Sequence, residues 1–475
     1  MTHNIQFAWN LYYGYENYRE NSLTHRRFNH SEIISLVEQL KNKNIFRVNK
    51  VGESVQERDI FTITIGNGAK KIFCWSQMHG NEPTATAAIF DIMNFFLAEQ
   101  HFKEFKQHLL NNVTLYFMPM VNPDGAEIFA RRNHIQIDLN RDAVKQESPE
   151  AKLLNKVFSS IQPEFGFNLH DQGSEYSAGN SSNYTALSFL APPIDFDKTV
   201  NESRTKSMLL ICELYNVLSE IIPGHIARYE DDFEPRAFGD NFAKKGSNVV
   251  LIESGAWIHD REKQFLRKLN FIALLTAFKS IAEDSYLKED IDTYHSIPEN
   301  KKLMMDFIIR NASITKEDQI YSVDVGINYE EVNIPGTKDF FYKAKIEDIG
   351  DLSVFTGFKE FDATSLTLEP GKTPEHIYDS IEEVKNLDTK SLLEEGVTNV
   401  TLNNINPELK YSPIIFNLIL NNIKRSEEIK EESIPNFILR KNGVFRYAVI
   451  NGFLVSKNQS RRPEGNALIF GKYDE

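Results

Sequence analysis

Four apolar runs, each ending in polar residues and a turn former, mark the N-terminal part of the chain: "IFCWSQMHGNEP", "VTLYFMPMVNPDG", "EFGFNLHDQG" and "VVLIESG". Runs this short and this apolar read as buried strands, with Asn-Pro-Asp-Gly a strong turn signal. Helical periodicity recurs around them, at 28–42, 149–160, 201–221 and 260–283. Asn29 or Ser31 is available to cap the first of these helices, and Pro83 suits the first turn of another. That helix buries a stripe of Ala88, Ile89, Ile92, Phe95 and Phe96. Strands alternating with helices predict an α/β sheet covered on both faces. "DIFTITIGNGAKKIFCWSQ" adds two strands joined by a Gly-Asn-Gly turn.

At 475 residues the chain is longer than one compact domain usually is, and its character changes near residue 290. Beyond the polar stretch "DSYLKEDIDTYHSIPENKK" the reading is mostly strand, including a hairpin at "RKNGVF". Two domains are expected: 1–290 and a smaller, mainly β domain at 291–475. No internal repeat is read anywhere. Lys plus Arg number 53 against 67 Asp plus Glu, a net charge of −14 that disfavours a nucleic-acid partner. The start lacks the basic and apolar regions of a signal peptide, and no window is apolar enough for a membrane span. Two cysteines, Cys74 and Cys212, build no disulfide framework, so a cytoplasmic location is the default.

The chemistry hinges on "HGNE" at 79–82. Alone, a His and a Glu three apart fit an ordinary strand-to-helix turn as well as a metal site. His170, at the end of a second predicted strand, would complete a His₂Glu set with one position open for water, the arrangement of a catalytic zinc. Sites in α/β proteins lie at the C-terminal ends of strands, where these residues fall. Arg131, Arg132, Asn140 and Arg141 cluster between Asn-Pro-Asp-Gly and Asp-Leu-Asn-Arg, and Arg suits both carboxylate recognition and oxyanion stabilisation. Glu253 follows four apolar residues, a costly position for a carboxylate without a partner.

With "HGNE", "NPDG", "RRN", "DLNR", "NLH" and "LIESG" in this order, residues 25–285 resemble the M14, or funnelin, zinc carboxypeptidases. The resemblance implies a mixed twisted sheet with helices on both faces and one zinc per chain. It implies that His79, Glu82 and His170 are the zinc ligands, with Asp138 hydrogen-bonded to the first histidine. Arg132 matches the residue that polarises the scissile carbonyl, with Arg131 as the adjacent alternative. Asn140 and Arg141 match the pair gripping the terminal carboxylate, and Glu253 matches the general acid/base.

The pattern also departs from the family. Asn81 stands near where digestive-type members carry a clamping Arg, and Arg236 is the available substitute. Tyr229 is the counterpart considered for the mobile tyrosine. The pocket region at 229–246 shows no clear apolar or charge preference, and His134, His225 and His259 complete no better ligand set. The first expectation is a peptide-cleaving exopeptidase. The expected partner is a peptide or small amide substrate, and the alternatives are a zinc deacylase of N-acyl amino acids and a non-catalytic zinc- or peptide-binding protein.

Overall fold

The structure is a computed structural model that describes residues 3–423, 427–456 and 468–470. Its contacts divide the chain into two units, Met1–Lys302 and Leu303–Glu475. Among the described residues no helix is long and apolar enough to cross a membrane.

The first unit is built on an eight-stranded sheet. Strands β1 (Arg47–Glu53), β2 (Asp59–Gly66), β3 (Lys70–Ser76), β4 (Val113–Met118) and β5 (Phe165–Asp171) are followed by the short β6 (Ser177–Ala178), which lies outside it. β7 (Leu187–Leu190), β8 (Ile226–Arg228) and β9 (Asn248–Ser254) complete the order β1-β2-β4-β3-β5-β9-β7-β8. The sheet is mixed: β3 runs parallel to β4 and β5, and β5 parallel to β9, whereas β7 is antiparallel to β9.

Among the described residues, ten α-helices accompany it: α1 (His3–Gly14), α2 (His30–Lys41), α3 (Thr84–Leu97), α4 (Lys103–Asn112), α5 (Pro123–Glu127), α6 (Pro149–Ile161), α7 (Glu202–Leu218), α8 (Phe238–Lys244), α9 (Gln264–Glu283) and α10 (Ile291–Ser296). Strand alternation sorts the side chains between two faces. Ile72, Cys74, Phe165, Phe167, Val250 and Ile252 join the core that includes α3, α7 and α9. Phe73, Trp75 and Val249 point the other way, onto Leu154 of α6 and Phe242 of α8.

Local chemistry explains several element ends. Asn29 caps α2 in a full capping box with Glu32. Asn122 accepts the Gly125 N–H at 2.9 Å and so starts α5. Helix α3 begins at Thr84, just after Pro83, and buries nearly all of its surface rather than one stripe. It is anchored by Asp91, which pairs with Arg267 of α9 and accepts hydrogen bonds from Arg267 Nε (2.7 Å), Tyr15 Oη (2.8 Å) and the Glu20 N–H (2.7 Å).

Three expectations need correction. β2 and β3 are both present but do not pair, because β4 lies between them. Their connection wraps the start of β4 instead: a Cβ on Gly68 would fall 1.8 Å from the Asn112 carbonyl carbon. The boundary lies at 302/303 rather than 290 because residues 291–302 pack on the first unit. Tyr294 of α10 is buried and accepts the Ala191 N–H, while β10 (Asn300–Lys301) pairs with β6.

The third correction concerns repeats. The second unit is mainly β, as expected. Its larger sheet contains β11 (Met304–Lys316), β12 (Gln319–Asn333), β13 (Phe340–Gly350), β14 (Thr356–Asp362) and β15 (Thr367–Pro370). A smaller parallel sheet includes β16 (Ile377–Tyr378), β17 (Asn399–Leu402) and β18 (Asn417–Leu420). The larger sheet continues through β19 (Asn436–Lys441), β20 (Val444–Ile450) and β21 (Phe453–Ser456), and β22 (Ile469–Phe470) closes the smaller one. "NVTLNN" and "NLILNN" stack as neighbouring rungs, 18 residues apart, with Asn417 donating to Asn399 and Asn421 to Asn403, each at 3.1 Å. The repeat escapes a hydropathy reading because it is only two rungs long and recurs mainly in its asparagines, with Leu402 matched by Leu420. Asn442 and Gly443, at φ +52° and +75°, form the expected hairpin turn between β19 and β20.

One backbone contact positions the future site. A Cβ on Gly80 would fall 2.0 Å from the Gly125 carbonyl carbon, so the "HGNE" turn and the "NPDG" helix touch main chain to main chain. Gly80→Ala is expected to destabilise the first unit by about 1–3 kcal/mol, read as a lower urea midpoint.

Candidate active site

The site lies at the C-terminal ends of β3, β5 and β9. His79 and Glu82 occupy the turn between β3 and α3, and His170 is the penultimate residue of β5. Along β5, Phe165, Phe167 and Leu169 enter the core, so His170 must emerge on the opposite face. On β9, Val250 and Ile252 are likewise core residues, whereas Leu251 and Glu253 line the cleft. The parallel register pairs His170 directly with Glu253.

His79 Nδ1 lies 2.7 Å from Glu82 Oε1, and His170 Nδ1 lies 2.7 Å from Glu82 Oε2. All three side chains are buried, and a ligand atom from each falls within 4.8 Å of the others. They form a group of metal-binding type among the described residues. Asp138 Oδ1 sits 3.0 Å from His79 Nε2. A proton held there leaves the Nδ1 lone pair facing the Glu82 carboxylate, and two acceptors at that distance call for a cation between them. The donor set of two imidazoles and one carboxylate therefore fits zinc, with ligand capacity left for water or substrate.

Burial alone would raise the Glu82 carboxyl, but His79 and His170 hold it well below the usual range. Asp138 shows the same balance: burial opposes ionisation, and His79 with Arg131 overrides it. Burial works against His79 as well, yet Glu82 and Asp138 raise it, whereas at His170 burial prevails and lowers it. Glu253 is pushed well up by burial and then by Glu82 and Asp171, and its Oε2 has no hydrogen-bond partner. A carboxylate so placed is set to receive a proton.

Of the two adjacent arginines, Arg131 enters the cleft. Its Nε donates to Asp138 Oδ2 at 3.0 Å, and its Nη1 lies 3.1 Å from His79 Nδ1 and 3.3 Å from Glu82 Oε1. Arg132 turns outward and donates to the Gln136 carbonyl at 2.8 Å, so the structure does not bring it to the cluster. Asn140 accepts the Phe238 N–H at 2.9 Å, which turns its amide nitrogen toward His170 Nε2, 3.5 Å away. Arg141 lines the cleft and pairs with Glu234 at 3.2 Å. Arg236 is exposed and paired with Glu234 at 2.7 Å, outside the cleft lining, so it does not replace a clamp. Tyr229 does line the cleft, and burial followed by the nearby Glu253 keeps its phenol protonated.

Sequence reasoning missed two contributors. Tyr176 joins the lining, although nothing local in "SEYS" distinguishes it. Lys263 donates to the Gln172 and Ser254 carbonyls at 3.2 and 3.0 Å and lies 3.4 Å from Asp171 Oδ2, tying the ends of β5 and β9 together. A lysine opening a helix gives no sign of this.

A family model described as zinc carboxypeptidase matches residues 33–185. That span holds His79, Glu82, Arg131, Asp138, Asn140, Arg141 and His170 and stops before Glu253. Carboxypeptidase SOL1 of Arabidopsis thaliana is 31% identical over 126 residues, 25% of each chain. Gamma-D-glutamyl-L-diamino acid endopeptidase 1 of Lysinibacillus sphaericus is 30% identical over 129 residues, 26% of this chain and 30% of its own. Probable carboxypeptidase 2 of Trichophyton verrucosum is 26% identical over 115 residues, 24% of this chain and 21% of its own. The matched segment thus spans less than a third of each of these curated relatives. Among solved structures, a metallo-carboxypeptidase from Burkholderia cenocepacia aligns at TM-score 0.44 and 17% identity, over 55% of this chain and 70% of that one. Residues 33–185 are thus similar to the zinc carboxypeptidases.

Asp138→Asn is expected to weaken zinc binding by about 10- to 100-fold, measured by competition with a chromogenic chelator.

Proposed function

We propose that this chain is a zinc-dependent carboxypeptidase that hydrolyses the C-terminal bond of peptides. The observation that carries this reading is the convergence of His79, Glu82 and His170 beside Glu253, which lines the same cleft as Arg131 and Arg141 and has one buried oxygen without a hydrogen-bond partner. A zinc ion held by that triad would supply a Lewis acid and lower the pKa of bound water to about 7.

The chain's own residues divide the remaining work. Glu253 Oε2 accepts a proton from the attacking water and returns it to the leaving amine. Arg131 donates to the oxygen of the scissile carbonyl as negative charge develops there. Asn140 and Arg141 hold the terminal carboxylate, which orients the last peptide bond toward Glu253. Tyr229, kept protonated by its burial, supplies a further donor at the cleft wall. Asp138 acts one step back, holding His79 and Arg131 together.

Free peptides should lose single C-terminal residues in a chelator-sensitive reaction, while their C-terminally amidated twins stay intact in a mass-spectrometric digest. Cleavage of the amides would overturn the exopeptidase assignment, and cleavage confined to N-acyl amino acids would move the protein to deacylase chemistry. Glu253→Gln should lower kcat by about 10²- to 10⁴-fold with zinc content unchanged. A fully active Glu253→Gln protein would remove the proposed mechanism.

Steady-state kinetics should also separate the arginines. Arg131→Ala is expected to lower kcat/KM by about 10²- to 10³-fold, whereas Arg132→Ala stays close to wild type.

A further inference from the structure

Glu253 has a strand neighbour on each side. His170 faces it across the parallel ladder from β5, and Ser188 faces it across the antiparallel ladder from β7. Leu187 and Phe189 enter the core, so the buried Ser188 stands on the same face as Glu253. Residues facing each other in this way have Cβ atoms about 4.5–5.5 Å apart, close enough for a hydroxyl to reach a carboxylate. A buried acceptor ordinarily takes such a donor. Here it does not. Ser188 Oγ donates to Gln172 Oε1 at 2.9 Å instead, and Glu253 Oε2 has no hydrogen-bond partner among the described residues.

Asn300 explains the choice. Its Nδ2 donates to Gln172 Oε1 at 2.7 Å and to Ser188 Oγ at 3.1 Å. A serine hydroxyl has a single proton. With Asn300 donating to the oxygen, that proton is directed to Gln172.

Asn300 reaches this point on β10, in a segment held to the first unit by its main chain. The Pro298 carbonyl accepts the Arg228 N–H at 2.7 Å, and the Glu299 carbonyl accepts the Gly179 N–H at 2.8 Å. Asn300 and Lys301 then pair with Ala178 and Ser177 of β6.

We propose that Asn300 is a positioning residue for Glu253. By holding Gln172 and Ser188 it keeps the Ser188 hydroxyl turned away, which leaves Glu253 Oε2 open to the attacking water. This rests on the carboxypeptidase reading, which makes Glu253 the base.

The test uses zinc-loaded full-length protein. Asn300→Ala, and Asn300→Leu as a bulkier variant that also lacks the donor, free the Ser188 hydroxyl to bond Glu253. Each should lower kcat about 3- to 10-fold, the worth of one hydrogen bond, with KM and zinc content close to wild type. Adding Ser188→Ala removes the competing hydroxyl and should return kcat to that of Ser188→Ala alone. A merely structural Asn300 would give no such rescue. Unchanged kcat in both Asn300 variants overturns the inference, as do double variants no faster than the Asn300 variants themselves.

If the wild type hydrolyses no peptide, the carboxypeptidase reading fails, and a crystal structure of Asn300→Ala decides the positioning separately. Ser188 Oγ within about 3 Å of a Glu253 oxygen, a hydrogen-bond distance, upholds it. Any other position of that hydroxyl overturns it.

Discussion

Glu82 is a carboxylate buried between two imidazoles, and much of the first unit serves to keep it there. Removing an anion from water costs several kcal/mol unless positive charge or hydrogen-bond donors meet it. One partner, His79, shares its turn. The other, His170, arrives 88 residues later on β5. The next ring of contacts follows from these: Asp138 holds His79, and Arg131 bridges Asp138 and Glu82. A divalent cation would satisfy all three inward-facing groups at once, which gives the cluster its meaning as a metal centre.

Strand pairing does the rest of the assembly. Because β5 and β9 run parallel in register, Glu253 stands beside His170 without any contact between their side chains being needed to place it. Period-two alternation then sends both to the face away from Phe167 and Ile252. Lys263 fastens the two strand ends through their carbonyls. The turn before α3 is set from the other side, where Gly80 and Gly125 allow two backbones to meet. The buried Asp91–Arg267 pair fixes α3 behind it.

How legible this was differs from residue to residue. His79, Glu82 and His170 could be grouped because each ends a recognisable apolar run, and their convergence follows from the sheet. Arg131 and Arg132 could not be told apart, since adjacent loop residues have no periodicity to say which one turns inward. The Gly-Asn-Gly segment looked like a hairpin because its residues suit a turn, and nothing local reveals that β4 enters between β2 and β3. The boundary was displaced for a similar reason. Residues 291–302 are polar in sequence but are held to the first unit by Tyr294 and by the β6–β10 pairing. The asparagine ladder of the second unit is a spatial repeat with little hydropathic trace.

The sequence by itself determined the alternation of strands and helices, the strand ends that bear chemistry, and the donor types available there. Those are local properties, carried by hydrophobic period, turn formers and side-chain pKa. Tertiary structure decided which arginine faces the His79–Glu82–His170 cluster, that Arg236 stays with Glu234 on the surface, and that Tyr176 and Lys263 lie at the same cleft end of the sheet. It also decided the character of the cleft. The acids at 229–246 show no preference when read in a line, because their charge matters only after Arg141, Arg236 and Lys198 have neutralised some of them. Which carboxylates remain unpaired is a property of three-dimensional proximity.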